Sequence, residues 1–183
     1  MPTKRKHERE TETIDREFFE EFIMNKRDWR KQQYSFMQPN DMYCVYDLVM
    51  YVTDKNNPFT SKKYLIEIKS RNINFSDYQT ATIDNDKLIA LKNEAVRQGD
   101  VDGIYVVFLF PFDNKIALFN VDDVDLNNTV ERYANKCTED SVIKVKKVMN
   151  DMPLSIARLY DYDLSDFFSR RDALKRRNNN KNN

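Results

Sequence analysis

Seven consecutive apolar or aromatic residues, IYVVFLF, occupy positions 104–110 between Gly103 and Pro111. A strand with one face in water alternates polar and apolar residues, whereas a strand covered on both faces is apolar throughout. The run therefore predicts a strand inside a sheet that has other elements packed on each face. A chain of 183 residues is long enough to bury such a core as one domain.

The remaining periodicities place helices and strands around this run. Helical spacing of apolar residues predicts helices over 13–33 and 84–98, and a last amphipathic helix around 164–174. Further strands are predicted at 34–37, 43–52, 63–70, 115–121 and 142–149, the last of which alternates like an edge strand. Because helices and strands alternate along the chain, we expect an α/β fold with a mixed α+β sheet.

Composition suggests where the folded part begins and ends. The charged segment 1–12 lacks apolar periodicity and is expected to be a mobile arm, and the asparagine-rich segment 178–183 is expected to be a disordered tail. Between them we expect a core domain over 13–150 and a C-terminal helical extension over 151–177.

The rare residue types exclude several kinds of active site. Two glycines cannot build a glycine-rich phosphate loop, and a single histidine, His7, cannot supply a Ser-His-Asp triad, a zincin motif or an HNH site. Two cysteines cannot make a four-cysteine zinc site, and we expect Cys44 and Cys137 to be free thiols in a reducing, cytoplasmic compartment. No apolar run approaches the roughly 18 residues of a membrane span, so no membrane partner is expected.

Carboxylates and a lysine interrupt two otherwise apolar strands. Asp47 lies in the first, where aspartate is depleted, and Glu67 and Lys69 share one face of the second. If the connecting loop is centred on Asn57, paired residues have numbers that sum to 114, and Asp47 lies directly opposite Glu67. The sequence thus predicts two carboxylates and an ammonium group on one patch of the sheet.

Two close carboxylates repel each other and require a proton or a cation. A hard ion such as Mg²⁺ or Mn²⁺ suits such an all-oxygen site, and the backbone carbonyl of Ile68 is a further candidate ligand. Lys69 beside the ion is suited to hold or deprotonate an attacking water and to stabilise negative charge in phosphodiester hydrolysis. The alternative is a salt-bridged hairpin on an exposed sheet face, with no chemistry.

The motifs Tyr46-Asp47 and Glu67-Ile68-Lys69 resemble those of the PD-(D/E)xK nuclease superfamily, the restriction-endonuclease-like fold that includes Holliday-junction resolvases. The likeness covers about residues 13–121, and the order helix, antiparallel strands, helix and strands matches the family core. Tyr46 stands where the family frequently has proline. The resemblance implies that Asp47 and Glu67 bind the metal ion and that Lys69 is the catalytic lysine.

The resemblance also implies accessory residues. Such nucleases often add an acidic residue from the first helix, and Asp15 lies on the apolar face of that helix, although it is also a candidate N-cap. Some members place a glutamine or lysine after the catalytic strand to position the phosphate, which indicates Gln79 and Lys87. A solvated helix start is the alternative for these two residues.

Basic residues indicate where nucleic acid would bind, because lysine and arginine contact phosphates without sequence information. Arg71 directly follows the predicted catalytic strand. A C-terminal cluster comprises Arg170, Arg171, Lys175, Arg176 and Arg177. The formal net charge is zero, so positive charge must be concentrated locally, and a merely solvated surface is the alternative for each of these residues.

The leading functional hypothesis is a Mg²⁺-dependent (or Mn²⁺-dependent) endonuclease or exonuclease, with DNA favoured over RNA as in the superfamily. The alternatives are a catalytically silent nucleic-acid-binding or assembly module with the same fold, and an α/β protein that binds only proteins. Partners could include a second copy, with Leu164, Phe167 and Phe168 as a candidate interface, or a protein that delivers the substrate. The asparagine- and lysine-rich composition is typical of an AT-rich genome, such as that of a phage or its bacterial host.

Overall fold

The computed structural model describes residues 3–25, 31–39, 44–135 and 144–179. Within these ranges the chain forms two sheets and three α-helices. The helices are α1 (Thr3–Asn25), α2 (Asn85–Gln98) and α3 (Phe167–Asn179). The strands are β1 (Gln32–Met37), β2 (Leu48–Asp54), β3 (Asn57–Ser70), β4 (Thr80–Asp84), β5 (Gly103–Phe110), β6 (Lys115–Asn120), β7 (Thr129–Asn135), β8 (Lys144–Pro153) and β9 (Arg158–Asp161).

The larger sheet has the strand order β1-β2-β3-β5-β6-β9. Strands β3 and β5 run parallel and every other neighbouring pair runs antiparallel, so the sheet is mixed, as the sequence predicts. The apolar run forms β5 near the middle of this sheet, and its residues Val106, Val107, Phe108 and Leu109 are fully buried. The prediction of a strand covered on both faces is confirmed.

The two faces of this sheet carry separate hydrophobic clusters, which explains why β5 lacks polar residues. On one face, Leu65 and Phe108 pack with Leu88 and Leu91 of α2. On the other, Ile66 and the neighbouring alternate positions pack against the aromatic residues of α1 and α3. Side chains of consecutive strand residues therefore enter different layers.

The smaller sheet has the order β4-β8-β7 and lies on the α2 side of the larger one, where Ala81, Ile83 and Met152 join the core. Strand β8 pairs with β7 over 144–150 but with β4 only over 149–153, so its lysine-bearing part has one strand partner among the described residues, as the edge-strand prediction over 142–149 expects. The alternation also reflects the two faces of this sheet, because Lys144, Lys146 and Val148 lie on the face that is exposed to solvent. Residues 136–143 lie outside the described ranges.

The hairpin of β2 and β3 is longer than predicted but keeps the predicted register. Its turn is at Lys55 and Asn56, and an irregularity between Thr53 and Asp54 shifts the pairing. Beyond that shift Leu48 pairs with Ile66 and Val49 with Leu65, so the numbers of paired residues sum to 114. The bulge compensates for a turn that lies closer to β2 than the predicted centre at Asn57.

The ends of the chain differ most from the sequence predictions. Helix α1 starts at Thr3, inside the segment expected to be a mobile arm, and ends at Asn25; residues 26–30, which the predicted helix included, lie outside the described ranges. Strand β9 was not predicted and pairs with β6 at the sheet edge. The division into core domain and helical extension stays a prediction, as does the tail, of which 180–183 are not described.

Helix α3 packs on α1, with the rings of Phe18 and Phe167 5.2 Å apart. Leu164 and Phe167 are fully buried there, so the face considered as a dimer interface belongs largely to the protein's own core. No described helix is long and apolar enough to cross a membrane. Cys44 is a free thiol, and Cys137 lies outside the described ranges.

Candidate active site

Glu67 lies near the end of β3 and is fully buried. Because Leu65 faces α2 and strand side chains alternate, Glu67 and Lys69 face α2 as well. The Lys69 Nζ lies 2.5 Å from Glu67 Oε1, and the Nζ of Lys87, on the first turn of α2, lies 3.0 Å from Oε2. Each carboxylate oxygen thus faces one ammonium group, and within the described residues neither oxygen has a further hydrogen-bond partner.

Helix α2 places Lys87 at this position because its start is fixed by local signals. Asp84 is the N-cap, and its side chain accepts a hydrogen bond from the backbone N–H of Asp86. The helix ends at Gly99, whose φ of 74° is left-handed, as the sequence predicts for this glycine. Leu88 and Leu91 bury the apolar face of the helix against the sheet, which directs the preceding turn towards Glu67.

Asp47 immediately precedes β2 and contacts β3 on both sides of Glu67. Its backbone N–H donates to the carbonyl of Ile66 at 2.9 Å, and its Oδ2 accepts from the backbone N–H of Ile68 at 2.7 Å. The prediction placed Asp47 directly opposite Glu67 in the strand pairing. In the structure the pairing ends one residue earlier, at Leu48, and the Asp47 carboxylate accepts the Ile68 N–H in place of a backbone carbonyl.

The pKa values of Glu67 and Lys69 reflect both burial and the charges around them. Burial raises the pKa of Glu67 and the nearby Asp47 carboxylate raises it further, while Lys69 and Lys87 act in the opposite direction. Burial alone would lower the pKa of Lys69, but the carboxylates of Glu67 and Asp47 outweigh that effect and raise it. Lys69 is therefore held in its ammonium form.

The donor set fits a hard divalent cation bound by few protein ligands. No three acidic, histidine or cysteine side chains cluster as a metal site among the described residues, so the carboxylates available here are those of Asp47 and Glu67. Mg²⁺ commonly uses one or two carboxylates and fills its shell with water and substrate phosphates. The Ile68 carbonyl points to the Asp47 side of β3, because the N–H and C=O of one strand residue point the same way.

Asp15 reaches the sheet from α1, but on the face opposite to Glu67. It is buried, and its Oδ2 accepts a hydrogen bond from Ser70 Oγ at 3.0 Å, while its Oδ1 accepts one from Arg171 at 2.8 Å. Burial raises the pKa of Asp15, although Arg171 and Ser70 act to lower it. Asp15 is thus bound to the end of β3 rather than to the Glu67 cluster.

The other predicted accessory and phosphate-binding residues have other contacts. Gln79 is exposed and precedes β4, so a whole strand separates it from the start of α2; its carbonyl accepts from the backbone N–H of Leu154 at 2.9 Å. Arg71 donates to the carbonyl of Thr82 at 2.8 Å and lies over the ring of Phe108, and burial lowers its pKa. The fold uses the Arg71 guanidinium to join β3 to β4.

The C-terminal arginines divide into two kinds. Arg170 pairs with Glu21 and Asp166 and lies over the Phe18 ring, and Arg171 pairs with Asp15 and lies over the Phe167 ring. Both side chains hold α3 against α1. Arg176 is exposed, and the side chains of Lys175 and Arg177 lie outside the described part of the chain.

Sequence analysis missed one contact close to the site. Arg16 Nη1 approaches the backbone carbonyl of Asp47 at 3.4 Å and so joins α1 to the residue before β2. The available signal was its position next to Asp15 on the same helix, but a charged residue there also fits a solvated surface. The partnership of Arg171 with Asp15 was missed as well, because it joins residues at opposite ends of the chain.

Similarity to known proteins does not by itself establish the function of this chain. No protein-family profile and no curated protein matches the chain. Among solved structures it is similar to Hjc from Archaeoglobus fulgidus, a Holliday junction resolvase from an archaeal hyperthermophile, with 13% identity, a TM-score of 0.43, and 79% of this chain and 89% of that one covered. It is also similar to a nuclease from a fusselovirus, with 11% identity, a TM-score of 0.45, and 90% and 93% covered.

Proposed function

We propose that the chain is a metal-dependent nuclease of the PD-(D/E)xK type that hydrolyses phosphodiester bonds. One observation carries the proposal: Asp47, Glu67 and Lys69 come together at the end of β3, with a fully buried carboxylate and an ammonium group 2.5 Å apart. Burying a carboxylate costs free energy even when it is paired. A reaction that needs an oxygen-ligated cation and a positive group beside it gives a reason for this arrangement.

In this mechanism Asp47 and Glu67 would hold Mg²⁺ or Mn²⁺, with the Ile68 carbonyl as a further candidate ligand. The ion, when bound, lowers the pKa of water and stabilises negative charge on the phosphate. Lys69 has a raised pKa, which favours holding the attacking water and stabilising charge as an ammonium group over accepting a proton. Lys87 contacts the second oxygen of Glu67 and can orient either that carboxylate or the phosphate.

Cation binding requires the two ammonium groups to share Glu67 with the metal ion. The side chains of Lys69 and Lys87 are 35% and 28% exposed, so either can turn towards solvent or towards a phosphate. A substrate phosphate would supply a new negative partner for a lysine that turns away from Glu67. Lys69 and Lys87 can therefore neutralise Glu67 in the free protein and a phosphate in the substrate complex.

DNA is the proposed substrate, on the resemblance of the two strand motifs to a superfamily of mostly DNA-cutting enzymes. The resting site also favours a second candidate, a silent module of the same fold, because Lys69 and Lys87 already neutralise Glu67. The two candidates make different predictions about metal-dependent cleavage.

The test is cleavage of supercoiled plasmid and of a synthetic four-way DNA junction with Mg²⁺, with Mn²⁺ and with a chelator. The wild type should cut only with the metal, and Lys69→Ala should lose activity by about 10²- to 10⁴-fold. Lys62→Ala is the matched control, because Lys62 is an exposed lysine on the same strand. Wild-type protein that binds the junction without cutting it would favour the silent module, and activity that survives Lys69→Ala would overturn the proposed site.

A further inference from the structure

The part of β3 that carries the site has a strand partner on only one side. Strand β2 pairs with β3 as far as Ile66, whereas β5 pairs with it through Ser70. Residues 67–70 therefore lack strand pairing on the β2 side, where the Asp47 carboxylate bound to the Ile68 N–H is the described contact. Glu67 and Lys69 both lie in this stretch, so their positions depend on what else holds the end of the strand.

A closed triangle of hydrogen bonds holds the end of β3 on the sheet face opposite to Glu67 and Lys69. Arg171 Nη2 donates to Ser70 Oγ at 2.7 Å and to Asp15 Oδ1 at 2.8 Å, and Ser70 Oγ donates to Asp15 Oδ2 at 3.0 Å. The three residues come from α3, β3 and α1. Ser70 is the neighbour of Lys69 and, by strand alternation, points to the α1 side while Lys69 points towards α2.

The triangle is well placed to limit movement of the strand end. The side chains of Arg171 and Asp15 are only 17% and 10% exposed, so solvent competes little for these bonds. The Arg171 guanidinium also lies 4.6 Å from the centroid of the Phe167 ring, and Phe167 is itself fully buried. Helix α3 thus presents the arginine from a packed surface rather than from a free side chain.

We propose that Arg171 is a positioning residue of the site: through Ser70 and Asp15, the C-terminal helix fixes the end of β3 and so sets where Lys69 stands relative to Glu67. This inference rests on the proposed nuclease function and deepens it. It also differs from the prediction that Arg171 binds nucleic acid, because its guanidinium is committed to groups of the protein. A residue that positions a catalytic group affects the rate of the bound complex, whereas a phosphate-binding arginine affects affinity and its salt dependence.

The experiment measures two properties of wild type, Arg171→Ala, Ser70→Ala and Ser70→Thr on the plasmid or junction that the wild type cuts. One is the single-turnover cleavage rate at saturating protein, and the other is the dissociation constant without metal. We expect Arg171→Ala and Ser70→Ala to lower the rate by about 10- to 100-fold, as removal of supporting hydrogen bonds does in metal sites. The dissociation constant should stay within about threefold, and Ser70→Thr, which keeps the hydroxyl, should stay near the wild-type rate.

The two effects should also be non-additive in the double variant, because both break the same triangle. Ser70→Ala keeps the inference testable if Arg171→Ala fails to fold, and the exposed Arg158, on β9, provides the control variant Arg158→Ala. Hydrogen exchange of the peptide spanning residues 66–71 gives a readout independent of activity and should accelerate in Arg171→Ala but not in Arg158→Ala.

Each outcome decides between the alternatives. A weaker dissociation constant with an unchanged rate at saturation would show that Arg171 binds the substrate and would overturn the inference. An unchanged rate together with unchanged exchange in that peptide would also overturn it. A wild type that cuts neither DNA, with metal present, would instead refute the proposed function, which separates the two failures.

Discussion

The carboxylate of Asp47 accepts a hydrogen bond from the backbone N–H of Ile68 at 2.7 Å, so a side chain continues a strand pairing that the backbone has ended. Asp47 therefore has two separable roles, one as a hydrogen-bond acceptor in the fold and one as a negative charge beside Glu67. Substitutions that remove the roles one at a time can distinguish structural from chemical consequences.

Asp47→Asn keeps an oxygen that can accept the Ile68 N–H but removes the charge. We expect its free energy of unfolding to stay within about 1 kcal/mol of wild type, while metal-dependent cleavage falls by at least about 100-fold. Asp47→Ala leaves the Ile68 N–H without its acceptor and should cost about 1–3 kcal/mol as well. Urea unfolding and plasmid cleavage of both variants provide the measurement, and full activity in Asp47→Asn would contradict the role of its charge.

Metal ions should stabilise the protein through the same carboxylates. A ligand at 100 times its dissociation constant adds about 2.7 kcal/mol of stability if it binds only the folded state. Titration with Mg²⁺ or Mn²⁺ should therefore raise Tm in wild type, and a chelator should reverse the change. The rise should be largely lost in Asp47→Asn; equal rises in both proteins would place the bound ion elsewhere.

Lys87→Met removes the ammonium group 3.0 Å from Glu67 Oε2 while keeping the apolar length of the side chain. We expect the cleavage rate to fall by about tenfold, less than for Lys69→Ala, because Lys69 still neutralises the other oxygen. The matched control is Lys92→Met on the same helix, which should retain the wild-type rate. A loss in Lys87→Met as large as that in Lys69→Ala would assign the lysine of α2 a direct part in the reaction.

The core between α1 and α3 should be far more sensitive to truncation than the hairpin tip. Phe18 is 1% exposed and packs on Phe167, so Phe18→Ala should cost about 3–5 kcal/mol of unfolding free energy. Phe59 at the tip of the β2–β3 hairpin is 96% exposed, so Phe59→Ala should change stability by less than about 0.5 kcal/mol. Urea unfolding compares the two, and a small effect of Phe18→Ala would mean that α1 does not pack as described.

Acid should remove a small stabilising contribution from Glu94 on α2. Hydrogen bonds from Arg97 and Gln98 lower the pKa of Glu94 from 4.5 to about 2. A carboxyl with a lowered folded-state pKa stabilises the fold above its unfolded value, and that contribution is lost as the pH falls from 4.5 towards 2. Because the Arg97 side chain is 73% exposed, screening by solvent and salt should keep this contribution small.

The measurement for Glu94 is its carboxyl titration by NMR in wild type and in Arg97→Gln. Removal of the arginine should return the pKa towards its ordinary value, because the largest cause of the lowering is lost. An identical titration midpoint in the two proteins would show that Arg97 does not hold the carboxylate.

Local and periodic signals were enough to predict much of this molecule. The uninterrupted apolar run predicted β5, because a short run bounded by Gly103 and Pro111 is typical of a strand buried on both faces. The alternation around Glu67 and Lys69 predicted that they share a face, because strand geometry has a period of two. Even the hairpin register near Leu48 and Ile66 agreed with the sum predicted from an estimated loop centre, although the turn and its bulge lie elsewhere.

Other features needed the folded chain because they join residues that are distant in sequence. The alternation of β8 predicts the open edge of its lysine-bearing part, but not that its last residues, from Met149 to Pro153, pair with β4. Strand β9 was not predicted either, because its four residues, Arg158–Asp161, carry too few apolar positions to indicate a strand. A short strand is stabilised mainly by its contacts with the neighbouring strand, so that neighbour determines whether the strand forms.

The sequence by itself determined the chemical inventory of the site: carboxylates, a lysine and no imidazole beyond His7, with Glu67 and Lys69 on one face of one strand. Only the tertiary structure decided which cations face Glu67, that Asp15 lies on the other side of the sheet, and that Arg171 is bound to Asp15 and Ser70. Strand alternation acts within a few residues, whereas these partners meet only after helices pack on both faces of the sheet.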